Sequence, residues 1–139
     1  MAERFVLDTS AWLALDESEP GGDEVEVLLA DAWCGKAELH ACFATLAELE
    51  YIRTRERNAL KAAELIAWAK AQPVSWQHSD DALCSAAAKL KAANKLSFAD
   101  AFIAALAQRL DATLVHKDPE IEALGAAVKQ QMLPRKTGT

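Results

Sequence analysis

Long apolar runs are missing from this sequence, and no stretch approaches the roughly 20 residues that cross a bilayer. A membrane protein of the helical kind is therefore not expected. The opening MAERFVLD lacks the layout of a signal peptide, because its apolar part is short and closes at Asp8. A cytoplasmic protein is expected. Cysteine is limited to Cys34, Cys42 and Cys84, an odd number without CxxC spacing. That excludes a disulfide framework or a zinc ribbon. Each cysteine sits among Ala, Leu or Trp and is expected to be a small buried hydrophobe. Glycine (5) and proline (4) are sparse, and no repeat, low-complexity tract or linker interrupts the chain. Positive charge is also in deficit. Fifteen Lys and Arg face 21 Asp and Glu, for a net charge of -6. The molecule as a whole does not attract nucleic acid, so any surface that binds a polyanion must be a local basic patch. Nucleophile-elbow, Walker, dinucleotide and zinc-type patterns are absent, and His40, His78 and His116 are scattered.

What is present suits one globular domain. The chain has 139 residues, 52% hydrophobic and 26% charged, enough to bury a core and stay in solution. A domain over residues 1–134 is expected, with a flexible tail over 135–139 that carries Arg135 and Lys136. RFVL (4–7) reads as a buried strand, followed by a turn and the helix SAWLALD. ESEPGG (17–22) is a loop, and DEVEVLLADAWCG (23–35) a helix closed by Gly35. KAELHACF (36–43) alternates, with Ala37, Leu39, Ala41 and Phe43 on one face and His40 on the other, which predicts a second strand. Helices run from about Thr45 to Ala71 with a break near Arg55–Arg57. PVSWQ (73–77) is a third strand, followed by helices near 79–93 and 97–110. TLVH (113–116) is a fourth strand, and 128–133 is a candidate fifth. Strands separated by helices require crossovers. The expected fold is therefore α/β, three layers around a mainly parallel sheet of four or five strands.

In such sheets chemistry gathers outside the carboxyl ends of the strands. Asp8 follows the first strand and Asp118 follows the fourth by one residue. Glu48 and Asp100 lie in early turns of helices that open on the same rim. Each acid also has a plain capping explanation. Thr45-x-x-Glu48 and Ser97-x-x-Asp100 fit capping boxes, Asp118-Pro119 fits an N-cap with proline at N1, and Asp8 can cap the first helix. Capping does not require all four to share one rim. Two carboxylates about 5 Å apart repel by roughly 3 kcal/mol at an effective dielectric of about 20. Four together need cations or protons. Such hard oxygen ligands suit Mg²⁺ or Mn²⁺, and phosphodiester hydrolysis is the natural reaction. A phospho-receiver domain shares the architecture. It requires paired acids after the first strand and an Asp after the third, and neither is present.

VLDTSA (6–11), TLAELE (45–50), LSFADAFIAALA (96–107) and LVHKDPEIEAL (114–124) resemble, in order, the motifs of the PIN domain. They are most similar to the VapC-type toxins of toxin–antitoxin pairs. The likeness runs from the first strand nearly to the C-terminus. It implies an α/β/α PIN-like fold and an endoribonuclease that uses Mg²⁺ or Mn²⁺ and leaves a 3′-hydroxyl and a 5′-phosphate. Carried over by position, Asp8, Glu48, Asp100 and Asp118 are the catalytic acids. Asp8, Asp100 and Asp118 hold the metal, and Ser10 supports them from the second position after Asp8. The family often has Thr or Ser two residues before the last acid, where this chain has His116. That histidine either bonds a carboxylate or phosphate beside the metal or simply ends the strand.

RTRERNALK supplies the best basic patch, and Arg53, Arg55 and Arg57 are candidate contacts to RNA phosphates. The alternative is a solvated helix face. Of the four tryptophans, Trp12 and Trp33 lie on the two early helices, which in VapC-like proteins help to form a homodimer and a groove for the antitoxin. Exposed rings there mark such an interface. Three functions follow: an RNase toxin with an antitoxin partner, a PIN nuclease of RNA processing or quality control without one, and a non-enzymatic scaffold. The intact acid set disfavours the last.

Overall fold

The computed structural model describes residues 2–135, so the expected tail over 135–139 lies outside the described residues except for Arg135, whose Nε donates to Lys117 O at 3.0 Å. Five strands form one sheet: β1 (Glu3–Leu7), β2 (Ala37–Cys42), β3 (Val74–Gln77), β4 (Thr113–His116) and β5 (Gln130–Met132). Their order is β3-β2-β1-β4-β5, and every pairing is parallel. The chain builds outward from β1 to β3 on one side, then crosses to β4 and β5 on the other. The connections part where β1 lies beside β4, and a crevice forms there at the carboxyl ends.

Helices cover both faces. One core joins Val6 and Leu114 of the sheet to α5 (Asp81–Ala93) and α6 (Phe98–Leu110). The other joins Phe5, Leu7, Leu39 and Val115 to α1 (Thr9–Asp16), α2 (Gly22–Trp33), α3 (Phe43–Glu56) and α4 (Ala59–Lys70). This is the α/β/α arrangement expected, and the alternation of β1 between the two cores follows from the strand period of two. No described helix is long and apolar enough to cross a membrane.

Helix α6 is buried from Asp100 to Ala107 without interruption. Ala101, Ala104, Ala105 and Ala107 leave room for neighbours on every side. Ile103 and Leu106, both sealed, contribute roughly 1.5–3 kcal/mol each by burial. Ser97 caps the helix, its Oγ accepting from the Asp100 N–H at 3.1 Å. Asp111 ends it at φ 51°, in the left-handed region that a short polar side chain tolerates. Helix α2 closes as its glycine predicted. Gly35 has φ +77°, and Lys36 N–H returns to Asp31 O at 2.8 Å, a Schellman bond. At its start, a Cβ on Gly22 would lie 2.6 Å from Ala14 O, so only glycine lets α2 fold this tightly against α1.

Three expectations need correction. Trp12 is no interface residue: it is wholly buried, stacked on Trp76 at 5.3 Å and edge-on to Trp68 at 5.7 Å. Its helix turns the ring inward to join α1, β3 and α4, and Trp33 alone of the pair is exposed, at 68%. Cys34 and Cys84 are exposed, and only Cys42 is buried. The two exposed thiols fall on outward positions of a helix end and a helix face. Finally, α3 begins at Phe43 with Cys42 at its N-cap, so Thr45 lies inside the helix and caps nothing.

Candidate metal centre

Asp8 follows β1 directly, and its N–H donates to Val115 O of β4 at 3.0 Å. The two central strands are thus pinned together at the crevice. Asp8 caps α1 with one oxygen only: Oδ2 accepts from the Ser10 N–H at 3.1 Å and the Ser10 hydroxyl at 2.5 Å. Oδ1 is buried without a hydrogen-bond partner. The Ser10 hydroxyl also accepts from Lys117 N–H at 3.0 Å. Ser10 therefore bridges the ends of β1 and β4 and fixes the Asp8 carboxylate between them. Lys117 turns its ammonium away, to Glu19 at 3.6 Å.

Asp118 caps α7 (Pro119–Glu122), with Oδ1 accepting from the Glu120 N–H at 2.8 Å and proline at N1. Asp100, in the first turn of α6, faces it. One oxygen each of Asp100, Asp118 and Glu120 lie within 4.8 Å of one another, a group that could hold a metal ion. Capping and convergence are thus not alternatives for Asp8 and Asp118, because each cap bond engages only one carboxylate oxygen.

Glu48 reaches the same place from α3. Thr9 Oγ1 stands 2.6 Å from Glu48 Oε1 and 3.0 Å from Thr45 Oγ1. Thr9 has one proton, and the carboxylate can only accept it, so Thr45 donates to Thr9 in turn. Both threonines are buried. Asp8 and Glu48 stand outside the tight group of three, yet near enough that the Glu48 charge acts on Asp8.

The electrostatics register the crowding. Asp8 is pushed up to about 6, first by burial, with the charges of Glu48 and Asp118 adding and the Ser10 bonds opposing. Asp100 is pushed up to about 8, first by burial, then by its hydrogen bond with Asp118 and the charges of Asp8 and Asp118. A Ser97 bond opposes the shift. Burial and the neighbouring carboxylate thus favour the protonated form of Asp100. A divalent cation fits this donor set. The donors of the group are hard oxygens, Asp8 Oδ1 is buried and unpartnered, and the excess negative charge calls for a cation or protons.

His116 ends β4 fully buried, and burial holds its ring below the usual imidazole range. Among the described residues it makes no hydrogen bond to a carboxylate oxygen. Its Nδ1 accepts from Asp118 N–H at 3.0 Å, and its Nε2 lies 2.8 Å from Gln130 Oε1. His40 is structural, held between Glu38 and Gln77 at 3.0 Å each.

The basic patch divides. Arg53 is ion-paired with Asp16 and, at 3.7 Å, Glu17, tying α3 to α1. Arg55 lies 5.1 Å over the Tyr51 ring, and Arg57 is the exposed C-cap of α3. Near the acids, Phe98 in the first turn of α6 is 70% exposed. It leans edge-on against Phe102 at 5.1 Å, which leans in turn on Phe43 at 5.2 Å.

Sequence reasoning missed Thr9, Thr45, Glu120 and Gln130. Glu120 carried a signal, an acid two residues beyond Asp118. Thr45 was hidden by its fit to a capping box, and nothing local in the sequence pairs Thr9 with Glu48 or Gln130 with His116.

The chain matches the PIN domain over residues 5–127. No curated protein matches it. Among solved structures, VapBC2 from Rickettsia felis, bound to a DNA fragment from its promoter, is similar at TM-score 0.73 and 14% identity. That match covers 94% of this chain and 99% of that one. VapBC-1 from nontypeable Haemophilus influenzae is similar at 0.69 and 19%, covering 93% and 97%. Mycobacterium tuberculosis VapC20, a toxin that cleaves the sarcin–ricin loop, is similar at 0.69 and 20%, covering 90% and 98%. At these identities the likeness is one of fold.

Proposed function

We propose that this chain, which belongs to the PIN domain family, is a cytoplasmic endoribonuclease dependent on Mg²⁺ or Mn²⁺ and the toxin of a toxin–antitoxin pair. The observation that carries the reading is the group of Asp100, Asp118 and Glu120 oxygens within 4.8 Å of one another, beside an Asp8 whose Oδ1 is buried and unpartnered and whose carboxyl feels the charges of Glu48 and Asp118. Asp8, Asp100 and Asp118 would hold the metal, with Glu120 at the edge of the same group. When bound, the cation supplies charge for the phosphoryl oxygens and acidifies water. To serve as a ligand Asp100 would release its proton to solvent, and Ser10 keeps Asp8 aimed inward. Glu48, oriented by Thr9 through Oε1, leaves Oε2 to accept a proton from the attacking water.

RNA would reach this rim past an exposed ring. Phe98 offers a face on which an unpaired base can stack. At the far end of α3, Arg55 and Arg57 are candidate contacts to phosphates further along the RNA, whereas the charge of Arg53 is already spent on Asp16 and Glu17. An unpaired loop suits this arrangement better than a duplex, whose bases are stacked away. The VapBC pairs among the similar structures support a small antitoxin as partner. Trp33 and Val27, both exposed on α2, supply apolar surface for a homodimer or that antitoxin.

Incubation of the purified protein with a labelled stem-loop RNA tests the reading. Cleavage is expected with Mn²⁺ or Mg²⁺, and none with EDTA. Cutting that persists in EDTA, or no cutting of any loop RNA, would refute it.

A further inference from the structure

We infer that His116 is a positioning residue whose imidazole, locked in one tautomer between the Asp118 backbone and Gln130, sets the turn that presents Asp118 and Glu120 to the metal. The inference rests on the metal-centre reading above. Its basis is a chain of hydrogen bonds in which every polarity is fixed. Asp118 N–H lies 3.0 Å from His116 Nδ1. A backbone N–H can only donate, so Nδ1 is the bare nitrogen and the ring hydrogen of the neutral imidazole is on Nε2. That hydrogen points at Gln130 Oε1, 2.8 Å away. The Gln130 amide cannot turn over, because its nitrogen donates to Gly125 O at 2.9 Å. Beyond the ring, Asp118 Oδ1 accepts from Glu120 N–H at 2.8 Å. The run goes from the turn before β5, through the edge strand, to the two carboxylates.

The residue type matters for this geometry. A hydroxyl two residues before the last acid could accept from the Asp118 N–H. It could not also reach Gln130 on the neighbouring strand. The imidazole does both across a fully buried position. The edge strand is further fixed to the same turn by Leu133 N–H to His116 O at 2.8 Å and by Arg135 Nε to Lys117 O at 3.0 Å. The short strand β5 is thus a brace for the acid-bearing turn rather than a mere extension of the sheet. Asp118 needs such a brace. It leaves the sheet two residues beyond β4 on a four-residue helix, and the ring nitrogen is the only side-chain acceptor recorded for its amide among the described residues.

Two near-isosteric substitutions separate the halves of this role. His116→Asn places an amide oxygen about where Nδ1 lies, so it keeps the Asp118 bond and loses Gln130. His116→Gln reaches about to Nε2, so it keeps Gln130 and loses the acceptor for Asp118. Mn²⁺ affinity by calorimetry and exchange of the Asp118 amide by NMR are measured for wild type, both variants and Gln130→Leu. Both His116 variants are expected to melt lower. His116→Asn should bind Mn²⁺ within about threefold of wild type, and His116→Gln about 10- to 100-fold more weakly, with fast Asp118 exchange. Gln130→Leu, which alters a partly exposed side chain, leaves the ring free to carry its hydrogen on Nδ1 for part of the time and so should fold and show an intermediate loss, and the test survives if a His116 variant does not fold. Equal affinities in all proteins, or affinities that merely follow melting temperature, would overturn the inference and leave the metal centre standing. A wild type that takes up no Mn²⁺ would overturn both.

Discussion

Thr9 Oγ1 donates to Glu48 Oε1 at 2.6 Å, joining the first turn after β1 to a helix 39 residues further along. The bond sits beside the crevice and restricts one oxygen of the acid assigned to the attacking water. Thr9→Val keeps the shape and removes the donor. It should lower kcat on a loop RNA by about 10- to 100-fold, with KM nearly unchanged, while Thr9→Ser should retain most activity. Equal losses in the two variants would point to packing instead of orientation.

The tryptophans of the early helices should separate cleanly by role. Trp12 packs among Trp68 and Trp76, so Trp12→Ala should cost about 3–5 kcal/mol in a denaturant melt. Trp33 is exposed, so Trp33→Glu should change stability by no more than about 0.5 kcal/mol. Sedimentation should show Trp33→Glu shifted toward monomer. An unaltered assembly would remove α2 from the proposed interface.

Without metal, stability should depend on pH with a definite sign. Asp100 is raised from its ordinary 3.8 to about 8 and Asp8 to about 6. The folded protein therefore binds more protons than the unfolded chain between about pH 4 and 8, and stability falls as pH rises through that window. His116, lowered from 6.5, acts in the opposite sense below about pH 6.5. The range from 6.5 to 8 belongs to Asp100. Melts in EDTA should drop across it, and Asp100→Asn should flatten the drop. A rising curve for the wild type would contradict the assigned burial.

Much of this was legible in the chain. Strand and helix order, the parallel sheet and the rim that carries Asp8, Glu48, Asp100 and Asp118 follow from alternation, caps and the crossover rule. What was not legible depends on partners distant in sequence. Trp12 lies on a short helix whose inward face is decided by Trp68 and Trp76, more than 50 positions away. Thr45 fits a capping box by spacing, but the helix starts two residues earlier and frees its hydroxyl for Thr9. His116 ends its strand, as the plainer of its two readings held. The structure adds that its ring holds the backbone of Asp118, a role that only the placement of β5 reveals.

Phe98 should govern substrate binding rather than the chemical step. Losing a stacked base contact of about 1–3 kcal/mol predicts that Phe98→Ala raises KM for a loop RNA by about 10- to 100-fold. Phe98→Trp should restore it. If Phe98→Ala changes no RNA parameter but abolishes antitoxin capture, the ring belongs to the protein interface.

The central claim is that the acids at the crevice form a metal centre and are more than helix caps, and a melt of two proteins at pH 8 with and without millimolar Mn²⁺ tests it most directly. A ligand bound only by the folded state stabilises it by about 2.7 kcal/mol at 100 times its dissociation constant. Mn²⁺ should therefore raise the melting temperature of the wild type by several degrees. Asp100→Asn should be at least as stable as wild type without metal, since it removes a buried charge and keeps the Ser97 cap on its own N–H. Its rise with Mn²⁺ should be much smaller. A wild type indifferent to Mn²⁺, with Asp100→Asn destabilised by about 1 kcal/mol as for a lost cap, would contradict the account.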